Sequence, residues 1–130
     1  VTFLGHALLG AAAGSVMALL VGKHRAEERG LPLAVTLGVA AGIYLGFGLL
    51  DGRPAQLALQ VAGALPFVAA AWLSAGRVGL LGIAWLAHGA WDGVHELGWV
   101  ETSIPSWYAA ACLGIDFAVG AAALLWARRA

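Results

Sequence analysis

Residues 78–99 read VGLLGIAWLAHGAWDGVHELGW, a run long and apolar enough to cross a bilayer that nonetheless holds His88, Asp92, His95 and Glu96. A helix of about 20 apolar residues spans the hydrocarbon layer. Ionisable groups at that depth are expensive and mark functional positions by default. At about 100° per residue, offsets of four, seven and eight residues return to one side of a helix, so His88, Asp92, His95 and Glu96 fall within an arc of roughly 100°. One face of this helix is therefore polar, and the fold is that of a chain solvated by lipid.

The rest of the chain agrees. Of 130 residues, 62% are hydrophobic and 11% charged, with a mean hydropathy of +0.87. A soluble domain carries about a quarter charged residues. Charged and proline-marked breaks divide the chain into spans at about residues 2–21, 31–50, 55–73, 78–99 and 106–127, which leave no room for a soluble domain. The expectation is an all-α integral membrane bundle of five transmembrane helices forming one domain over residues 1–130. The first span has no basic lead-in and exceeds the apolar core of a secretory signal, so it reads as a retained helix. Val1 is consistent with an alternative start codon. Zero formal net charge and a pI near 7.1 provide no basic footprint for nucleic acid. Cys112 is the single cysteine, which excludes an internal disulfide and any CxxC motif.

Pro32 and Pro54 stand at helix starts, where a missing N–H costs little. Gly22, Gly30 and Gly52 mark ends or turns, and Pro66 is placed to kink the third span. Lys23, Arg25 and Arg29 fall in the first connection, Arg53 in the second, Arg77 in the third, and Arg128 with Arg129 at the end. The excess of cations on the cytoplasmic side then predicts the N-terminus outside and the C-terminus cytoplasmic. Trp72 and Trp126 would sit at the inner interface, Trp99 and Trp107 at the outer one. Short connections predict that consecutive helices pack together. Gly10 with Gly14, and Gly38, Gly42 and Gly46, form stripes that let helix backbones approach closely, either between the first two helices or across a dimer.

Counting away from the fourth connection pairs His88 with Asp116 and Asp92 with Cys112 in depth. Asp116 and Cys112 are four apart and share a face. His6, just below the outer surface on the first helix, is placed to join His95 and Glu96. Together with Glu101 these residues predict a polar track that opens outward and stops near the midplane. The metal candidates are His88, Asp92, His95, Glu96, Asp116 and His6, since His and carboxylate groups at these spacings converge on one ion. Di-metal bundles present two carboxylate-x-x-His motifs, and Asp92-x-x-His95 is the only one here. The catalytic candidates are His88, Asp92 and Asp116, because a desolvated carboxylate beside an imidazole suits proton transfer. Haem or chlorophyll held by His6, His88 or His95 is a weaker alternative to a divalent metal ion. A purely structural network, His88 with Asp116 and His95 with Glu96, is the plain alternative.

Smaller features read simply. Residues 23–29 form a solvated cytoplasmic loop that touches anionic headgroups. Gln56 and Gln60 hydrogen-bond across the bundle or, as the lesser alternative, line the site; Cys112 packs, Tyr44 faces either way, and Glu101, Thr102, Ser103 and Ser106 solvate a loop and cap the fifth helix.

The stretch from Gly82 to His95 resembles the signature of a family of small bacterial integral membrane proteins of unknown function. The similarity runs from about the first connection to the fifth helix and rests on Trp85, His88, Trp91, Asp92, His95, Pro105 and the helix carrying Cys112 and Asp116. Glu96 stands where many members carry a second consecutive histidine. Cys112 is not followed closely by a second Cys and Asp, which argues against a thiolate-rich metal site. The resemblance supports a multi-pass bacterial membrane protein whose polar helix is a shared feature, and it transfers no activity; the leading expectation places the chain in the bacterial inner membrane.

Two functional classes follow. One is an outward-opening intramembrane site for metal binding or acid–base chemistry on a membrane ligand, including an enzyme acting on a lipid or isoprenoid. The other is an accessory subunit of a respiratory or photosynthetic complex, its polar face structural or touching a cofactor. An ion or proton carrier fits less well because the inner half has no polar track. Expected partners are membrane lipids, a second copy of the chain, or a larger membrane-protein complex.

Overall fold

The computed structural model describes residues 2–130, so Val1 and its reading as a start lie outside the described residues. The chain folds into five helices with no strand among those residues: α1 (Phe3–Gly22), α2 (Gly30–Asp51), α3 (Pro54–Leu73), α4 (Val78–Glu96) and α5 (Ser106–Arg129). A short 3₁₀ turn, Ala26–Glu28, precedes α2. Four of the helices, all except α4, are long and apolar enough to cross a membrane.

The helix ends have local causes. Thr2 caps α1 by accepting a hydrogen bond from Gly5 N at 3.1 Å, and Pro54 opens α3. Gly52 ends α2 in the left-handed region at φ +76°, which glycine adopts without a Cβ penalty. The fourth span was expected to reach residue 99, but α4 stops at Glu96. Gly98, at φ +68°, donates to His95 O at 3.1 Å while Trp99 N donates to Val94 O at 3.1 Å. That pair of bonds is the Schellman closure, which satisfies the last carbonyls and turns the chain away. α3 continues through Pro66. The expected serine cap on α5 is absent: its N-cap is Pro105, with no side-chain bond, and Thr102 Oγ1 instead accepts from Ile104 N.

Polarity runs opposite to that of a soluble bundle. Leu50 is 86% exposed and Leu19 71%, while Gln56, Gln60, His88, Asp92, His95 and Asp116 are buried. Such a surface belongs against lipid, and such an interior needs its polar groups paired.

Helix pairing departs from the sequence order. The closest partnerships are α1 with α5, α4 with α5, and α2 with α3, and α4 also touches α2 and α3. α1 thus packs on α5 instead of α2, because residues 23–29 are long enough to free it from its neighbour and because Gly10 and Gly14 fit α5. A Cβ on Gly10 would lie 1.9 Å from Ala111 O, and one on Gly114 would lie 2.0 Å from Ala7 O. Gly38, Gly42 and Gly46 have nothing within 4 Å of where a Cβ would stand, so among the described residues nothing packs closely against this second stripe. The opposite face of α2 packs instead, with Leu33 and Leu37 joining Leu81, Trp85 and Val119 in the larger core. Trp85 Nε1 donates to Leu33 O at 3.2 Å and ties α4 to α2.

Candidate metal centre

α4 and α5 approach closely where Gly82 faces Gly120 and Gly89 faces Asp116; a Cβ on Gly89 would sit 3.1 Å from Asp116 Cβ. This contact carries His88 and Asp116 to the same depth, as the counting from the connection predicts. His88 Nδ1 lies 2.6 Å from Asp116 Oδ2 and 3.8 Å from Asp92 Oδ2. One ligand atom each from His88, Asp92 and Asp116 falls within 4.8 Å of the others. That separation compares with the roughly 4 Å between opposite ligands of an ion whose bonds are about 2.0–2.2 Å long. His88 and Asp116 are each 1% exposed and Asp92 is 0%.

Tyr44 of α2 completes this group. Its hydroxyl donates to Asp92 Oδ1, and its ring meets the edges of His88 and His95 at 5.7 and 5.1 Å. A buried tyrosine needs a partner for its hydroxyl, but sequence alone does not choose the direction in which Tyr44 faces. Its spacing of three and seven residues from Ala41 and Leu37, both buried, is the signal that finds it. Phe67 closes another side, its ring centroid 4.8 Å from that of His88.

His95 stands apart from the His88, Asp92 and Asp116 group and serves a different network. Its Nδ1 lies 3.0 Å from Trp91 O, so this nitrogen carries the proton and donates. Its Nε2 then accepts from Gln60 Nε2 at 3.2 Å. Gln56 Nε2 donates to Glu101 O at 2.8 Å, and Gln56 Oε1 accepts from Ser103 N at 3.3 Å. Both glutamines thus bond across the bundle, as their spacing on α3 suggests. The His95–Glu96 bond of the structural alternative is not formed; Glu96 is half-buried, with Oε2 unpartnered. His6 is half-buried on α1 and stands outside the ligand group, because α1 packs on the face of α5 opposite Asp116. Arg53 bridges Asp51 at 2.7 Å and Glu101 at 2.5 Å, joining the α2–α3 and α4–α5 connections above this network.

Two atoms in the cluster lack a hydrogen-bond partner, His88 Nε2 and Asp92 Oδ2. Orphaned polar atoms at such depth are costly and call for an explanation. Charge poses the same question. Asp92 and Asp116 are neighbours in an apolar interior, while every Lys and Arg stands in a connection or at a helix end. A buried carboxylate is tolerated when it is protonated or paired with positive charge, and a divalent cation would supply that charge in a single group.

A sequence-family model described as a family of unknown function, DUF6010, matches residues 5–129. The chain belongs to this family. The DUF6010 match takes in His88, Asp92 and Asp116 and nearly all of the five helices, so this cluster lies within the matched region. No curated protein and no solved structure matched the chain.

Proposed function

We propose that this protein is a five-span protein of the bacterial inner membrane, N-terminus outside and C-terminus cytoplasmic, in which His88, Asp92 and Asp116 hold a divalent metal ion. The observation that carries this reading is the convergence of one imidazole and two carboxylates within 4.8 Å, with Asp92 Oδ2 left without a hydrogen-bond partner 3.8 Å from His88 Nδ1. One nitrogen with several oxygens suits zinc, manganese or ferrous iron better than the soft ions that favour thiolates. A metal so placed would polarise a ligand entering from the membrane, with His88, Asp92 and Asp116 holding the ion. His95, Gln60 and Gln56 mark the polar route toward the α4–α5 connection, which would be the outward mouth.

Thermal melting of the purified protein, with and without zinc or manganese, tests this. A bound ion stabilises the folded state in proportion to the logarithm of its excess over Kd. The wild type should melt higher with metal, and His88→Ala and Asp92→Ala should lose that increment while remaining helical. Wild-type melting indifferent to both ions would overturn the proposal.

The bare stripe of Gly38, Gly42 and Gly46 favours a second reading in which α2 packs against another membrane protein or a second copy, as an accessory subunit would. Native electrophoresis after mild solubilisation distinguishes it. A larger species that disappears in Gly42→Leu supports this reading, and a monomer in both argues against it.

A further inference from the structure

The seam between α1 and α5 changes character along its length. Near one end, Gly10, Gly14 and Gly114 bring the backbones together. Beyond Ser15 and Ala118 the helices leave a groove of about 930 Å³ between them, within the range of about 300–1,000 Å³ typical of small-molecule sites. Its walls are apolar, including Leu19 and Ala122, and at its far end stand Lys23 and Arg129. Two neighbouring cations are engaged elsewhere. Arg29 donates to Gly22 O at 3.0 Å and His24 O at 3.2 Å and stacks over Trp126 at 5.0 Å, while Arg25 pairs with Glu27 at 2.5 Å. Lys23 and Arg129 are exposed, and neither forms an ion pair among the described residues. An apolar slot that ends in two free cations, at the level where helices leave the membrane, complements an anionic headgroup with its acyl chains.

We propose that this groove binds an anionic phospholipid, its acyl chains along α1 and α5 and its phosphate between Lys23 and Arg129. The site rests on the membrane-spanning reading of α1 and α5 and is separate from the metal cluster, which occupies the opposite face of α5. Native mass spectrometry of the full chain, with phosphatidylglycerol and phosphatidylcholine of identical acyl chains, tests it. The protein should retain phosphatidylglycerol preferentially. Lys23→Gln and Arg129→Gln should each reduce that preference about fivefold, without altering metal-dependent melting. Ala121→Trp, at an exposed position lining the groove, should weaken retention of both lipids. Equal retention of the two lipids by the wild type, an unchanged preference in the doubly substituted protein, or undiminished binding in Ala121→Trp would each overturn the proposal.

Discussion

Gly114 and Asp116 lie two residues apart on α5 and turn to nearly opposite sides of it, about 200° apart at 100° per residue. Gly114 meets the backbone of α1, whereas Asp116 meets the imidazole of α4. Lipid offers no hydrophobic drive between helices, so association depends on close packing or on hydrogen bonds. The α1 seam uses the first, through residues that carry no side chain at all. The α4 face uses the second, through side chains whose polar atoms can be exchanged singly. Substitutions should therefore destroy the fold on one side of α5 and alter ligand binding on the other.

The largest expected effect breaks the seam. Gly114→Leu places carbon against the carbonyl of Ala7, where neither backbone has room to yield, and should cost more than about 3 kcal/mol or prevent recovery of folded protein. Gly42→Leu, on the bare stripe, should leave the melting temperature of the solubilised monomer essentially unchanged. Similar melting of the two variants would erase the distinction between the stripes.

On the polar side, Tyr44→Phe removes the donor to Asp92 Oδ1 while keeping the ring. Partners of metal ligands typically contribute 10–100-fold in affinity, so equilibrium dialysis should show a loss of about that size, with helical circular dichroism retained. An unchanged affinity would make Tyr44 a packing residue only. Gln60→Leu should behave differently, because it deprives His95 of its donor and leaves the three ligands alone. Its expected cost is about 0.6–2 kcal/mol in thermal stability, with metal affinity kept; loss of metal would show that the two networks act as one. The smallest effect belongs to Glu101→Gln. Its bridge to Arg53 is exposed, and exposed pairs contribute little, so no resolvable change in melting is expected.

The sequence carries directional information unevenly. Helix ends were legible because glycine, proline and charge act locally, and His88 met Asp116 because residues at equal distance from a short connection between antiparallel helices lie side by side. The extra turn assigned to α4 was lost to the closure at Gly98, a conformational effect that hydropathy does not register. The partner of α1 was not legible, since a glycine stripe states that something packs closely without stating what. The same ambiguity hid the difference between the Gly10 and Gly38 stripes. Tyr44 was missed as a member of the cluster because a single amphipathic ring faces either way until its neighbours on α2 are known. Depth alone places His6 with His95, and depth does not reveal that α5 stands between α1 and α4.

Elemental analysis of the purified wild type and Asp116→Asn, each exposed to divalent ions and then dialysed free of excess, tests the central claim most directly. The account predicts metal equimolar with the wild-type chain and little or none in the variant, both proteins being equally helical. A wild type that emerges without metal, or a variant that retains as much as the wild type, would contradict it.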